Sequence, residues 1–263
     1  MINLEEKSDF SKITEAPGQK ATAEQISRVY QRYRFAKDFI RNRDVLEAAC
    51  GTGMGLGYLA SAAKSVIGVD IDEKNLSLAR RCYDGNTKVR VLKGDVHELD
   101  LPDKSADLVL LFEAIYYLNE PQRFAKEARR ILRDDGHIII CSVNRDWEDF
   151  HPSPYTYSYF SVPELRGLLE PHFRDIRFYG GFPAGERGLK EYFVSFIKQA
   201  AVKFDLIPGN LESRAYLKRI FIGKLLNLPA EVTEGMAPYE VPVELSPDSV
   251  NKDHKIIYVV AKK

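Results

Sequence analysis

The chain has 263 residues, of which 44% are hydrophobic and 29% charged, the profile of a folded globular protein rather than a disordered one. Its 38 basic and 38 acidic side chains cancel to a net charge of zero, which argues against a dedicated nucleic-acid binder. No stretch approaches the roughly 20 apolar residues that span a bilayer, and Met1 to Lys20 lacks an apolar signal core, so a cytoplasmic protein without stable membrane insertion is expected. Cys50, Cys82 and Cys141 cannot all pair with one another and stand at no metal-binding spacing, so free thiols and no metal site are expected.

A polar segment, 1–21, is broken by Pro17-Gly18 and reads as a loose or draped arm. Thr22 to Arg41 follows as a helix, with Ile26, Val29, Tyr30, Tyr33 and Phe39 on an apolar stripe and Arg28, Arg32, Lys37 and Arg41 on a basic one. A strand-helix alternation then sets in. Strands are expected at Asp44 to Ala48, Ser65 to Asp70, Lys88 to Lys93, Ala106 to Phe112 and His137 to Val143. Helices are expected at Met54 to Ala63, Glu73 to Tyr83 and Pro121 to Leu132, with a turn at Asp135-Gly136. Near-continuous apolar strands separated by helices predict an α/β fold, a parallel sheet covered on both faces.

Ser161-Val162-Pro163-Glu164 is a capping box that opens a helix to about Glu170. Strands follow at Asp175 to Gly180 and, last, at Lys255 to Ala261. The seventy or so residues between them exceed what a sheet needs, and a structureless loop of that length would be unusual. Leu189 to Phe204 and Leu217 to Leu228 carry helical apolar faces, so 184–253 reads as a helical insertion. The domain reading is therefore a polar arm 1–21, a core 22–183, an insertion 184–253 and a final core strand 254–263.

The most informative run is Glu47-Ala48-Ala49-Cys50-Gly51-Thr52-Gly53-Met54-Gly55, where a strand ends and a helix begins. Ligands of open α/β sheets bind at that edge. A phosphate-binding loop would need a Lys followed by Ser or Thr, and a dinucleotide loop would place its third glycine one position later. Glu47, just ahead of the turn, suits a cation better than a pyrophosphate. Asp70 ends the second strand, seventeen residues after Gly53 (70 − 53), where an acid can bond both ribose hydroxyls. Asp95, in Gly94-Asp95-Val96, ends the third strand and can accept from the exocyclic amine of adenine. Ribose, adenine and a positively charged tail together describe S-adenosylmethionine (SAM).

On these motifs the chain resembles the class I SAM-dependent methyltransferases that act on small molecules, over roughly Arg32 to Phe182 plus the final strand. Leu111-Phe112-Glu113-Ala114 and Arg130-Ile131-Leu132 with Asp135-Gly136 resemble that family's fourth strand and the entry to its fifth. The resemblance implies a Rossmann-like sheet of seven strands with the last antiparallel, SAM as cofactor and S-adenosylhomocysteine (SAH) as product. It implies that Glu47 and the backbone of Ala49, Gly51 and Phe112, with Gly53 shaping the loop, face the methionine part. Asp70 and Ile71 would face ribose and adenine, Asp95 and Val96 the adenine edge, and Tyr33 would close over the carboxylate. Ala49 departs from the glycine usual there, and its methyl group is tolerated where φ is negative.

Methyl transfer needs a base only if the acceptor must lose a proton. Of the five histidines, His151 lies in the polar, aromatic loop after Ser142-Val143-Asn144, and it could take a proton or merely pack beside Pro152. Glu113, Tyr116 and Tyr117 stand beside the methyl site by motif position and could orient an acceptor or serve packing. Tyr155, Tyr157, Tyr159 and Phe160 suit a flat acceptor or a sugar. The basic side chains of the insertion (Lys190, Lys198, Lys203, Arg214, Lys218, Arg219, Lys224) are a solvated face or the mark of an anionic acceptor, and the insertion itself a lid, a platform or a homodimer surface. The function expected is SAM-dependent methyl transfer (EC 2.1.1.-) to an O or N atom of a small molecule, such as a saccharide or glycan precursor. A non-catalytic SAM-fold partner protein and a NAD-linked oxidoreductase remain as alternatives.

Overall fold

The computed structural model describes residues 14–184 and 225–263. Strands run Lys20–Ala21 (β1), Asp44–Ala48 (β2), Ser65–Asp70 (β3), Val89–Lys93 (β4), Ala106–Phe112 (β5), Leu132–Val143 (β6), Arg174–Pro183 (β7), Leu226–Asn227 (β8), Val243–Leu245 (β9) and His254–Lys262 (β10). Helices run Ala23–Lys37 (α1), Leu56–Ala60 (α2), Glu73–Cys82 (α3), Pro121–Ile131 (α4) and Val162–Leu169 (α5), with a 3₁₀ turn at Ile115–Tyr117.

The main sheet orders its strands β4-β3-β2-β5-β6-β10-β7-β9. The contacts among β4, β3, β2, β5 and β6 are all parallel, whereas β10 lies antiparallel between β6 and β7. The sheet has eight strands rather than the expected seven, because Val243–Leu245 adds an antiparallel edge to β7. Three residues carry too little pattern for a strand to be read from sequence.

Alternation along the strands divides the core in two. Val45, Leu108, Leu110, Ile139 and Tyr258 point to one face and pack with α1 and α2. Leu46, Val109, Leu111, Ile138 and Ile257 point to the other, against Phe124 and Ala128 of α4 and Leu165 and Leu169 of α5. Because both faces are covered, these strands are apolar at nearly every position.

Element ends follow local chemistry. Thr22 caps α1 in a reciprocal box with Gln25, and Ser161 caps α5 in the expected box with Glu164. Helix α1 stops at Lys37, short of Arg41. Pairing of β6 begins at Leu132 rather than His137, and the expected Asp135-Gly136 turn is taken up as an irregularity in which Asp135 adopts φ +66°. Residues 225–253 of the expected insertion carry β8 and β9 and no helix, so the helix read over Leu217 to Leu228 does not extend through its last four positions. The helical face at Leu189 to Phe204 and the basic side chains from Lys190 to Lys224 lie outside the described residues. The described part of the N-terminal arm is ordered against the core, since Lys20 and Ala21 pair with Asn227 and Leu226.

Candidate active site

Strand order reverses between β2 and β5, since β3 and β4 extend to one side and β6 to the other. The carboxyl ends of these two strands diverge there and leave a crevice. A cavity of about 520 Å³ opens at that point. Its lining includes Tyr33, Glu47, Ala49, Gly51, Asp70, Ile71, Asp95, Val96, Phe112 and Tyr117 of the residues singled out from sequence. Gly53 and His151 are not among them. Gly53 takes φ +74° with its carbonyl accepting from the Tyr83 hydroxyl at 2.7 Å, so it shapes the turn from behind. His151 is exposed on the loop after β6.

Three residues of the loop after β2 hold left-handed backbone: Ala49 (φ +53°), Gly51 (φ +57°) and Gly53. The condition under which an alanine is tolerated at position 49, a negative φ, is therefore not met. The turn needs the conformation that glycine adopts freely, and Ala49 bears the strain. The loop is tied to β3 by Asp70, whose carboxylate accepts from the Gly51 N–H at 2.8 Å and from the Asp72 N–H at 2.9 Å. Burial raises the Asp70 carboxyl above its ordinary range, although those backbone bonds oppose the shift.

Glu47 lies buried at the floor of the cavity. One oxygen accepts from the Tyr33 hydroxyl at 2.6 Å, while Oε2 is buried with no hydrogen-bond partner. Burial pushes its pKa up to about 7; the Tyr33 and Arg32 contacts pull it down and Asp70 adds to the rise. The Tyr33 ring meets Phe112 edge-on at 5.3 Å, and Arg32 lies over its face at 5.4 Å. Gly55, the glycine that falls one place early for a dinucleotide loop, makes room for this ring.

Just beyond β4, Asp95 is exposed and accepts from the His97 N–H at 2.9 Å and meets its ring Nδ1 at 2.6 Å. Burial opposes ionisation of Asp95, but these contacts outweigh it and hold the carboxyl below its ordinary range. His97 lines the cavity, and its Nε2 is buried without a partner.

Arg32 and Glu15 line the cavity without having been legible as site residues. Arg32 is buried and ion-paired with Glu15, and the Glu15 carbonyl accepts from the Thr52 hydroxyl at 3.1 Å. The arm thus reaches the cavity, a contact that polar composition does not announce. Glu113 follows β5 at φ +52°, is half-buried, and accepts from the Tyr116 hydroxyl at 2.7 Å. Tyr159 stacks on Tyr116 at 4.9 Å, and Tyr157 lines the rim. Among the described residues no group of three His, Cys, Asp or Glu side chains is placed to hold a metal, and no helix is long and apolar enough to cross a membrane.

Residues 46–140 match the family profile described as a methyltransferase domain. A probable S-adenosylmethionine-dependent methyltransferase of Mycobacterium tuberculosis is 36% identical over 145 residues, covering 53% of this chain and 52% of that protein. A demethylmenaquinone methyltransferase of Tropheryma whipplei is 30% identical over 128 residues, covering 48% and 52%. The chain thus spans about half the length of these relatives. A solved structure from Thermotoga maritima, described as a SAM-dependent methyltransferase and possible histamine N-methyltransferase, superposes with a TM-score of 0.57 at 19% identity, covering 92% of this chain and 91% of that one, a likeness of fold. Loop, acids, strand order and matched segment agree: over residues 46–140 this chain is similar to the methyltransferase domain.

Proposed function

We propose that the protein is a SAM-dependent methyltransferase that alkylates an O or N atom of a small molecule. The observation that carries this reading is the buried Glu47 Oε2, an acceptor without a partner at the floor of the cavity. A buried carboxylate oxygen needs a donor, and an ammonium group supplies one with its charge. It would repel a pyrophosphate, which counts against the NAD-linked alternative.

The remaining lining fits the rest of the cofactor. Asp70 and Ile71 line the cavity and would meet the ribose, and Asp95, Val96 and His97, which also line it, would meet the adenine edge. The Gly51 backbone lines the cavity, and a Cβ there would come within 2.8 Å of Thr14 Cγ2, so a glycine keeps the turn close to its neighbours. Arg32 Nε is buried and unpartnered, and its guanidinium, with Tyr33, suits the methionine carboxylate. When bound, SAM supplies an activated methyl group on a sulfonium. The protein's own part is to hold the acceptor in line and to exclude water, which is most of what such a transfer needs. Tyr116, Tyr117 and Tyr157 offer aromatic surface that suits a sugar face or a flat ring.

Calorimetric titration with SAM tests the reading. The native protein should bind, and Asp70→Ala should weaken binding by about 1.5–3 kcal/mol, the size of a hydrogen bond to a charged group. Absence of binding by the native chain would overturn the assignment. Unchanged affinity in Asp70→Ala would remove Asp70 from the ribose role.

A further inference from the structure

The described lining of the cavity carries five carboxylates, on Glu15, Glu47, Asp70, Asp95 and Glu113, against two guanidiniums, on Arg28 and Arg32. Arg32 pairs with Glu15 and, in the reading above, also meets the methionine carboxylate, while Arg28 pairs with Glu24 at 2.6 Å. SAM brings one net positive charge, and in the reading above Glu47, Asp70 and Asp95 would face it. Glu113 is left over. It is half-buried, and among the described residues no cation stands within ion-pair distance of it: Oε2 accepts from the Tyr116 hydroxyl and Oε1 from the Cys141 thiol at 3.5 Å. A carboxylate has about four lone-pair positions, so these two donors leave room for another. A carboxylate partly withdrawn from water with no cation beside it gains from a further charge or donor.

Its backbone supports the same reading. Glu113 takes φ +52° in a non-glycine residue, directly after β5, with its N–H bonded to the Cys141 carbonyl at 2.8 Å. That conformation costs on the order of 1–2 kcal/mol, and strain of this kind collects where a side chain must be aimed.

We propose, resting on the methyltransferase reading above, that the acceptor is an amine and that Glu113 is the catalytic residue that pairs with its ammonium form and takes its proton. The substrate nitrogen docks as R–NH3⁺ against the carboxylate and passes one proton to it. The freed lone pair forms the N–C bond to the methyl carbon while the C–S bond breaks and leaves its electron pair on sulfur. The products are the methylammonium form of the acceptor, SAH and a protonated Glu113, which returns its proton to solvent. Burial raises the Glu113 carboxyl above its ordinary range; Arg32, the Tyr116 hydroxyl and Arg28 oppose that rise, and Glu15 adds to it. A carboxylate raised toward neutrality is a better base for an ammonium than an ordinary surface acid. Cys141, Tyr116, Tyr117 and Tyr258 face it with raised pKa values of their own and stay protonated, so they do not compete for the role.

The test combines the purified full chain, SAM with an isotope-labelled methyl group, and a small-molecule extract separated on a cation exchanger. Label in products retained as cations supports the amine; label confined to neutral, anionic or lipid products overturns it. Glu113→Gln preserves shape and the acceptor for Tyr116. It should lower transfer by roughly 100-fold or more while calorimetric SAH affinity changes less than twofold. Glu113→Asp, which keeps the charge at a shorter reach, should recover part of the loss. A Glu113→Gln protein that transfers at the native rate overturns the base. A native chain that binds SAH and labels nothing overturns the transfer reading itself, and the amine with it.

Discussion

The Tyr33 hydroxyl donates to Glu47 at 2.6 Å across the floor of the cavity, and its ring occupies the space that a side chain at Gly55 would fill. A Cβ at position 55 would come within 1.9 Å of the ring. Gly55 has φ −100°, so its backbone would accept any residue and only the contact forbids one. The glycine serves a neighbour's side chain rather than its own conformation.

Gly55→Ala should therefore act through Tyr33. Overpacking of this kind costs about 1–3 kcal/mol, read as a loss in denaturant unfolding. In a Tyr33→Leu background the same substitution should cost much less, because the obstructing ring is gone. A double-mutant cycle with no coupling between the two positions would remove the account.

Ala49 presents the reverse case, a side chain where the backbone wants none. Left-handed φ costs an alanine about 1–2 kcal/mol, and a glycine gives back about 0.5–1 kcal/mol in unfolded-chain entropy. Ala49→Gly should then stabilise the protein by about 0.5–1 kcal/mol, a rise in Tm of about 1–4 °C for a chain of this size. A lower Tm would mean that the Ala49 methyl group makes packing contacts worth more than the strain.

What could be read in advance follows from where the information lies. Strands β2, β3 and β5 are buried on both faces, so their apolar runs identify them, and the acids at their ends follow from the sheet's topology. Glu15 and His97 join the site only through the path of the chain: an arm pinned by the β1–β8 pairing, and a turn that swings a histidine ring inward. No periodicity records such contacts. The sign of φ at Ala49 was hidden for the same reason, since an alanine in the motif says nothing about the turn that holds it. The extra edge strand and the short pairing at Leu226–Asn227 are too brief to show a period.

His151 was the histidine best placed by loop position to take a proton. It is exposed and outside the cavity lining, while Glu113 stands within it. His151→Ala should leave turnover within threefold of the native rate at saturating acceptor. A loss of roughly 100-fold, the least expected of a general base, would show that the loop after β6 folds inward when the acceptor binds.

Glu47 makes stability depend on pH in the direction opposite to most carboxylates. Burial, the largest influence, lifts its folded pKa to about 7 from an ordinary 4.5. The folded state thus holds this proton more tightly than the unfolded chain. Its contribution is fully present below about pH 4.5 and is lost as pH rises through about 7. The span corresponds to about 3 kcal/mol. Glu47→Gln keeps an acceptor for Tyr33 and carries no charge, so its stability advantage over the native protein should grow between pH 5 and pH 8. An advantage that stays constant over that range would show Glu47 ionised throughout. An ammonium group beside Oε2 would reverse the shift, because a nearby positive charge favours the carboxylate. Near pH 7, SAM binding should then release roughly half a proton, the share held by an acid titrating at that pH. Calorimetric binding enthalpies in buffers of different ionisation heat would read that release, and Glu47→Gln should abolish it. Equal enthalpies across buffers for the native protein would place the ammonium group elsewhere in the cavity.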